Sequence, residues 1–262
     1  MKLLFILIIL LIVILCNKRK KENFQESLVN FPIYWINLDR SKDRKNWVEK
    51  SFNKLGINKH TRVSAVDGKK LGMYNLSIPK EYYSNHSKNE LACTSSHLKC
   101  IEKAYHNKER MVIICEDDVC FSLLKVINKS LNKMINNCNS NWEIIQLGHS
   151  NPDEMKLLLK ENKEYVNWKR DYWGAFCYVI NRKGINKIYN SCFKNGKISI
   201  ANGYNHRIVA DELFFNICKT YTLTKPIVTF KTLGSTLHKS HENWHEDSKK
   251  SLMKYYNVKG LC

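Results

Sequence analysis

The chain has 262 residues, of which 44% are hydrophobic and 11% aromatic, so it is long enough for one large domain and too apolar to be disordered throughout. Its formal net charge of +19 at pH 7 suits polyanionic partners such as nucleic acid, anionic lipid or nucleotide phosphate. However, 35 of the 43 basic residues are lysines, whereas proteins that read bases or clamp phosphates favour arginine. We therefore expect a solvated basic surface and no nucleic-acid partner.

The chain starts with an apolar run at residues 3–16, and a basic cluster follows it at residues 18–21. The run is shorter than the roughly 20 residues of a spanning helix, but no signal-peptidase site follows it. We expect residues 1–16 to be a membrane anchor or signal, residues 17–30 a basic polar linker, and residues 31–262 one domain. The positive-inside rule places that domain in the cytosol. The side of the membrane stays open, and the three Asn-x-Ser sequons are not evidence of a lumen, because the composition predicts about three by chance. These sequons are at Asn75, Asn85 and Asn128.

The ten cysteines form no CxxC pair and no zinc-ligand spacing. Several of them lie in or beside apolar runs, where a free cysteine behaves as a small hydrophobic residue. The pattern favours reduced, structural thiols over an oxidised disulfide framework.

Short apolar segments alternate with amphipathic segments along the domain, which is typical of strands alternating with helices. We predict strands over residues 32–38, 60–66, 111–115, 143–147, 176–180 and 227–230. We predict helices over residues 41–55, 94–105, 122–136, 183–193 and 210–218. Ser41 and either Thr94 or Ser95 are the expected N-caps of the first two helices, and Gly56 is the expected stop of the first. The alternation predicts an α/β fold whose parallel-rich sheet is covered on both faces.

Three carboxylates, Glu116, Asp117 and Asp118, follow the strand predicted over residues 111–115. In open α/β sheets ligands bind beyond the carboxyl ends of strands, and adjacent negative charges repel one another unless a cation neutralises them. Oxygen ligands suit Mg²⁺ or Mn²⁺, with substrate phosphates and water completing the coordination. In an extended segment Glu116 and Asp118 would share one side and Asp117 would face away. The alternative is a solvated acidic turn or a helix N-cap.

A second acidic pair, Asp211 and Glu212, begins an apolar segment. It is either an ordinary helix start, which carboxylates favour, or the source of a general base that accepts a proton from a hydroxyl. Late in the chain, His238, His241 and His245 form a cluster. One of them is a candidate metal or diphosphate contact, and the alternative is a surface role.

The sequence contains no GxxxxGK[ST], GxGxxG or GxSxG motif. Their absence argues against a P-loop nucleotidase, a dinucleotide-binding dehydrogenase and an α/β-hydrolase. Recognition of phosphate would then depend on a metal and on scattered basic groups.

Six segments, in this order, resemble glycosyltransferase family 25, which groups bacterial lipooligosaccharide galactosyltransferases, procollagen galactosyltransferases and giant-virus relatives. They are YWINLDRSKDR (34–44), RVSAVDGKKL (62–71), ELACTSSHLKCIEKA (90–104), MVIICEDDVCF (111–121), WGAFCYVINRKGINKI (173–188) and ADELFF (210–215). The resemblance covers roughly residues 32–230. It departs from the family pattern at Cys115, where an aliphatic residue is usual, and at Ala92-Cys93, where Gly-Cys is usual.

The resemblance implies a GT-A-like nucleotide-sugar-binding fold with a mixed, mostly parallel sheet. Glu116, Asp117 and Asp118 stand where the family has its metal-binding acidic triplet, so Glu116 and Asp118 are the expected ligands of Mn²⁺ (or Mg²⁺). Asp211, or failing it Glu212, is the expected catalytic base. The expected nucleotide-sugar contacts are Asn37, Asp39, Arg40, Arg44, Asp67, Ser96, His97 and Asp117.

Family resemblance also implies inverting transfer of a hexose, galactose or glucose, from a UDP-sugar donor to a glycan or a hydroxylysine-bearing protein acceptor. Two alternatives stay open. The first is a catalytically inactive, membrane-tethered module that binds glycan or protein with the same fold. The second is a polyanion binder driven by the net charge, whose affinity would fall steeply with salt.

Overall fold

The structure is a computed structural model that describes residue 28 and residues 31–73, 76–77, 86–127, 130–200, 207–231, 242–260 and 262. Apart from Leu28, the expected anchor and linker lie outside the described residues, and so do the asparagines of the three sequons, His238 and His241. Within the described ranges, no helix combines the length and the apolar character needed to cross a membrane.

The described residues form a chain of alternating strands and helices. The strands are β1 (Ile33–Asn37), β2 (His60–Ser64), β3 (Leu76–Ser77), β4 (Met111–Glu116), β5 (Val119–Cys120), β6 (Ile144–Gln146), β7 (Tyr165–Asn167), β8 (Cys177–Asn181), β9 (Phe193–Lys194), β10 (Lys197–Ser199), β11 (Thr220–Leu223) and β12 (Thr229–Phe230). The α-helices are α1 (Lys42–Leu55), α2 (Lys88–His106), α3 (Leu131–Asn137), α4 (Pro152–Leu158), α5 (Arg182–Cys192), α6 (Ala210–Ile217) and α7 (Glu242–Tyr256). Two 3₁₀ helices span Gly68–Met73 and Ser122–Lys125.

The central sheet has seven strands in the order β2-β1-β4-β8-β6-β11-β7. β1 is parallel to both of its neighbours, and β6 is parallel to β11. β8 is antiparallel to β4 and to β6, and β7 is antiparallel to β11. Five of the seven strands therefore run in one direction, which confirms the predicted α/β fold with a mixed, mostly parallel sheet.

Helices cover both faces of this sheet, because alternate side chains of each strand point to opposite faces. In β4, Val112 and Ile114 pack in a core with α2, α5 and α6. Ile113 and Cys115 pack in a second core with α1 and α3. Each of these four β4 side chains is 0% exposed, so the strand that ends at the acidic triplet lies at the centre of the molecule.

The first predicted helix is confirmed as α1, and it ends at Gly56, whose φ of 70° is the left-handed conformation that glycine adopts most easily. The predicted start of the second helix is wrong. α2 begins at Lys88 because Ser87 and Glu90 form a capping box, in which each side chain binds the backbone N–H of the other residue. Thr94 lies inside the helix and donates its hydroxyl to the Glu90 carbonyl.

Several elements differ from the sequence prediction. The helix expected over residues 122–136 is a short 3₁₀ helix followed by α3. The strands β7 and β11 and the helices α4 and α7 were not predicted. α7 packs against α4 around a small cluster of Leu123, Met155 and Leu252.

The expectation of reduced thiols is wrong for one pair of cysteines. Cys120 in β5 and Cys262 form a disulfide with a Cα–Cα distance of 6.3 Å. The other seven described cysteines are free, and six of them are buried, as expected for thiols that pack as small hydrophobic residues.

Candidate functional site

A cleft lies at the carboxyl edge of the sheet, where β1, β2 and β4 end side by side and face the first half of α2. It encloses an empty volume of about 620 Å³, part of which is open solvent. The polar and reactive side chains that line it include Asn37, Arg40, Arg44, Cys93, Ser96, Glu116 and Asp117. The sequence argument from strand ends therefore located a real concavity.

Asn37 links the ends of β1 and β4. Its Nδ2 donates a 2.7 Å hydrogen bond to Oδ2 of Asp117, and its Oδ1 accepts a 2.8 Å hydrogen bond from Nε of Arg62 on β2. Both Asn37 and Asp117 are buried. The three neighbouring strand ends are thus joined by one amide side chain, which has both the donor and the acceptor that this arrangement needs.

Arg44, on the first turn of α1, forms ion pairs with both aspartates that follow β4. Its Nη2 lies 2.7 Å from Oδ1 of Asp117 and 3.0 Å from Oδ2 of Asp118. Asp117 and Asp118 therefore share one partner, unlike the prediction that Asp117 faces away. The difference arises because β4 ends at Glu116, and residues 117 and 118 form a turn instead of continuing the strand.

Asp118 keeps one carboxylate oxygen without a partner. Its Oδ1 is buried and makes no hydrogen bond. Burial and the negative charge of Glu116 raise the pKa of Asp118 to about 7, although the Arg44 guanidinium opposes this shift. Burial also raises the pKa of Asp117, again against Arg44. The single positive charge of Arg44 therefore does not offset burial and the neighbouring carboxylates at Asp118.

Glu116, the last residue of β4, lies close to α2. Its Oε1 lies 3.6 Å from Nε2 of His97, which is beyond hydrogen-bond distance, and that Nε2 has no hydrogen-bond partner. Nδ1 of His97 is 3.2 Å from the hydroxyl of Tyr178. Burial by itself would raise the pKa of Glu116, but the His97 ring, Arg44 and His245 outweigh it, and the pKa is lowered.

The segment after β1 is held by two ion pairs. Asp39 accepts hydrogen bonds of 2.6 Å from Arg62 and 2.7 Å from the Ser64 hydroxyl, which lower its pKa. Arg40 pairs with Asp67, whose pKa is lowered first by the backbone N–H of Lys69 and then by Arg40. Both carboxylates are therefore already bound to the protein, while the exposed Arg40 guanidinium lines the cleft.

Ser96 and His97 are buried in α2, with 1% and 0% exposure. The Ser96 hydroxyl donates to the Ala92 carbonyl and accepts a 2.8 Å hydrogen bond from the backbone N–H of Val66, just beyond β2. Ser96 thus fixes one wall of the cleft by holding α2 against the end of β2. The His97 ring lies next to the Glu116 carboxylate.

Asp211 and Glu212 begin α6 at the same edge of the sheet. Oδ2 of Asp211 accepts a 2.8 Å hydrogen bond from the backbone N–H of Gly174. Two residues later, the Phe176 carbonyl accepts a 2.9 Å hydrogen bond from the backbone N–H of Glu116. Burial raises the pKa of Asp211, although the backbone donors oppose this. Glu212 instead contacts Nε of Arg170 at 3.1 Å.

His245 approaches the site from α7. Its ring centroid is 5.0 Å from that of Phe230, in β12. The neighbouring backbone N–H of Lys231 donates a 2.7 Å hydrogen bond to the carbonyl of Asp118. Of the three late histidines, only His245 lies within the described residues, and it is close enough to lower the pKa of Glu116.

The chemistry of the acidic turn fits a divalent cation. The unpartnered Oδ1 of Asp118 and the partly exposed carboxylate of Glu116 are hard oxygen donors of the kind that Mg²⁺ and Mn²⁺ prefer. A cation would also offset the repulsion that raises the pKa of Asp118. Among the described residues, Glu116 and Asp118 could hold such an ion.

The sequence model of glycosyltransferase family 25, described as an LPS biosynthesis protein, matches residues 30–202. The chain belongs to glycosyltransferase family 25. The family match contains the cleft residues from Asn37 to Asp118, and it ends before Asp211.

One relative is a protein of Anopheles gambiae named "Glycosyltransferase 25 family member". It is 27% identical over 169 residues, which cover 60% of this chain and 28% of the relative. The match thus spans little more than a quarter of the relative's length.

The structure brings together most of the side chains that the sequence singled out, and it adds some that sequence reasoning missed. Cys93 lies one helical turn before His97 and lines the cleft. Arg62 binds both Asn37 and Asp39. In the sequence, Cys93 is only a position within the α2 motif and Arg62 is only a basic residue in a strand. Neither feature indicates a partner.

Proposed function

We propose that this family 25 member is an inverting, metal-dependent glycosyltransferase with a GT-A-like fold. It would transfer a hexose, galactose or glucose, from a UDP-sugar to a hydroxyl of a glycan or a hydroxylysine-bearing protein. The observation that supports this most is the cluster of Asn37, Glu116, Asp117 and Asp118 at the edge of a cleft in a parallel-rich sheet.

The cleft has the charges that a sugar nucleotide requires. Arg40 lines it with an exposed guanidinium, and Arg44 lies at its acidic end. Guanidinium groups bind phosphate oxygens through paired hydrogen bonds. We expect Arg40 to contact the diphosphate, while Asn37 and Ser96 hold the walls between which the nucleotide lies.

When bound by Glu116 and Asp118, Mn²⁺ or Mg²⁺ supplies stabilisation of the negative charge on the departing UDP. Arg44 would orient Asp117 and Asp118, and its positive charge would compete with the cation for these carboxylates. Its two contacts of 2.7 and 3.0 Å fix the orientation of both carboxylates.

Asp211 is the proposed base. In a single displacement, the bond from the anomeric carbon to the UDP oxygen breaks, a bond to the acceptor oxygen forms, and the acceptor proton passes to the base. The raised pKa of Asp211 favours proton acceptance, and its hydrogen bond from Gly174 fixes its orientation. Glu212 is the second choice, since its carboxylate is already paired with Arg170.

We further propose that residues 3–16 attach the chain to a membrane, with the side left open. Flotation of the full chain with zwitterionic phosphatidylcholine vesicles, which do not attract its positive charge, tests this, and a variant lacking residues 1–16 should stay with the soluble fraction. Equal flotation of the two chains would contradict it.

The test of the activity is a donor screen with the full chain. UDP-galactose, UDP-glucose and other UDP-sugars are supplied with Mn²⁺, and released UDP is measured with and without EDTA. We expect release with a UDP-hexose, its loss with EDTA, and its loss in Asp118→Asn. Asp153→Asn is the matched control, because the Asp153 side chain is 87% exposed on α4 and should leave UDP release unchanged.

One observation favours the alternative of an inactive binding module. Arg44 already provides the acidic turn with a positive charge, so the turn has some compensation without a metal. If the wild type binds a UDP-sugar or a glycan but releases no UDP with any donor in Mn²⁺, this alternative replaces the enzyme.

A further inference from the structure

Cys93, His97 and Glu116 form a second group of potential metal ligands next to the acidic turn. One ligand atom from each, the Cys93 Sγ, a His97 ring nitrogen and a Glu116 carboxylate oxygen, all lie within 4.8 Å of one another. Cys93 and His97 are four residues apart in α2 and so share a helix face. Glu116 faces them from the end of β4.

His97 supplies an independent sign that this group is incomplete. Its side chain is 0% exposed, and its Nε2 has no hydrogen-bond partner although it points towards Glu116 at 3.6 Å. Buried polar nitrogens are nearly always satisfied. The other ring nitrogen lies 3.2 Å from the Tyr178 hydroxyl, so with a metal on Nε2 the Nδ1 proton would have an acceptor that fixes the ring orientation.

The three groups differ in chemistry from the oxygen-only site proposed for Mn²⁺ or Mg²⁺. A thiolate, an imidazole and a carboxylate are the ligands that proteins use for Zn²⁺. With the thiol deprotonated, two negative ligands neutralise the dication. Cys93 and Glu116 both line the cleft, so an ion can arrive from solvent and keep a fourth position for water.

We propose that Cys93, His97 and Glu116 form a binding site for Zn²⁺ or a similar thiophilic dication, and that this site excludes Mn²⁺ by sharing Glu116 with it. On binding, the Cys93 thiol releases its proton to solvent and the Cys93 Sγ binds the metal; no electron is transferred. The inference does not depend on sugar transfer, since it concerns metal binding alone.

Cobalt(II) is the probe, because it replaces zinc in tetrahedral sites and gives a thiolate-to-metal charge-transfer band only when sulfur is a ligand. The full chain, freed of metal by chelator and desalted, is titrated with Co²⁺ and then with Zn²⁺. We expect one equivalent of Co²⁺ to give the band, and Zn²⁺ to abolish it.

Cys93→Ser should remove the band and weaken Zn²⁺ binding by at least about 100-fold, because changes outside the ligands alone cost about 10–100-fold. Cys100→Ser is the matched control, since Cys100 lies in the same helix, is buried and is outside the group. It should keep the band. A wild type without the band, or a band that persists in Cys93→Ser, would overturn the proposal.

A second measurement needs no variant. One equivalent of Zn²⁺ should slow alkylation of Cys93 in the wild type, read by mass spectrometry, and should leave the rate at the other free cysteines unchanged. The same rate of Cys93 alkylation with and without Zn²⁺ contradicts the site even if Cys93→Ser fails to fold. UDP release with Mn²⁺ is a separate measurement. A negative result for Zn²⁺ binding would therefore not contradict the proposed glycosyltransferase activity.

Discussion

Nδ2 of Asn37 lies 2.7 Å from Oδ2 of Asp117, and this buried hydrogen bond joins two residues that are 80 positions apart in the chain. It connects the ends of two adjacent parallel strands, β1 and β4, at the acidic turn. Asn37 is thus one of the groups that hold the turn, and it can be changed without touching the proposed metal ligands.

Replacing Asn37 by alanine should destabilise the fold by about 2 kcal/mol, because a buried carboxylate loses its neutral donor while Arg44 remains. The measurement is urea unfolding at neutral pH. Asn137→Ala is the control: the Asn137 side chain makes an exposed, 3.3 Å hydrogen bond, so its loss should change stability by no more than about 0.5 kcal/mol. Equal effects of the two variants would show that the hydrogen bond from Asn37 to Asp117 is unimportant for stability.

Asp118 should make stability depend on pH in the absence of metal. Its pKa is about 7 in the folded chain and about 3.9 when unfolded, so the folded state binds more protons between these values. The free energy of unfolding therefore falls as pH rises from about 4 to about 7. Asp118→Asn lacks this contribution and should gain stability relative to the wild type as pH rises from about 5 to about 8.

Thermal unfolding in EDTA at these two pH values measures the Asp118 effect. The exposed Asp153→Asn variant should follow the wild type at both. If the difference in stability between the wild type and Asp118→Asn is the same at both pH values, Asp118 titrates normally.

Arg44 should compete with a bound metal for the aspartates. In Arg44→Ala, the carboxylates of Asp117 and Asp118 lose their shared cation, so the variant should be less stable than the wild type without metal. Added Mn²⁺ should then raise its melting temperature by more than it raises that of the wild type, since binding to the folded state alone stabilises it.

Lys45→Ala is the control for Arg44, because Lys45 makes only an exposed 3.8 Å pair with Glu49 on the same helix. Its response to Mn²⁺ should equal that of the wild type. An Arg44→Ala variant with the wild-type response would mean that Mn²⁺ does not bind at this turn.

Gly174 should be sensitive to substitution because its φ is +106°, which L-residues rarely adopt. A Cβ there would lie 3.1 Å from Phe176 Cδ1, and the shift would disturb the hydrogen bond to Asp211. Gly174→Ala should cost about 1–3 kcal/mol of stability and lower UDP release. Gly196→Ala is the control. Gly196 also has a positive φ, of +70°, but no atom lies within 4 Å of a Cβ placed there. Only the cost of the left-handed backbone conformation should remain, and UDP release should persist.

The sequence predicted an element best where its hydrophobic pattern is simple. The apolar run 111–115 has no polar interruption, so it predicted the central strand β4. β11 was missed because its sequence, TYTL, is half threonine. In the structure Thr222 is 0% exposed and its hydroxyl donates a 2.7 Å hydrogen bond to Gln146 on β6, a pairing that local sequence does not show.

The start of α2 could have been predicted, since Ser87 and Glu90 have the spacing of a capping box. Partners at the site could not be predicted from spacing. Arg44 meets Asp117 and Asp118 only because α1 packs across the end of β4, and Cys93 meets Glu116 only because α2 covers the other face. Motif order identified which residues matter, but three-dimensional packing decided which of them touch.

The most direct test is a crystal of the full chain soaked with MnCl₂ and UDP, with data collected near the manganese absorption edge. The account predicts an anomalous peak in contact with the carboxylates of Glu116 and Asp118 and with the UDP diphosphate. An anomalous peak elsewhere, or UDP bound outside the cleft with these carboxylates unchanged, would contradict it.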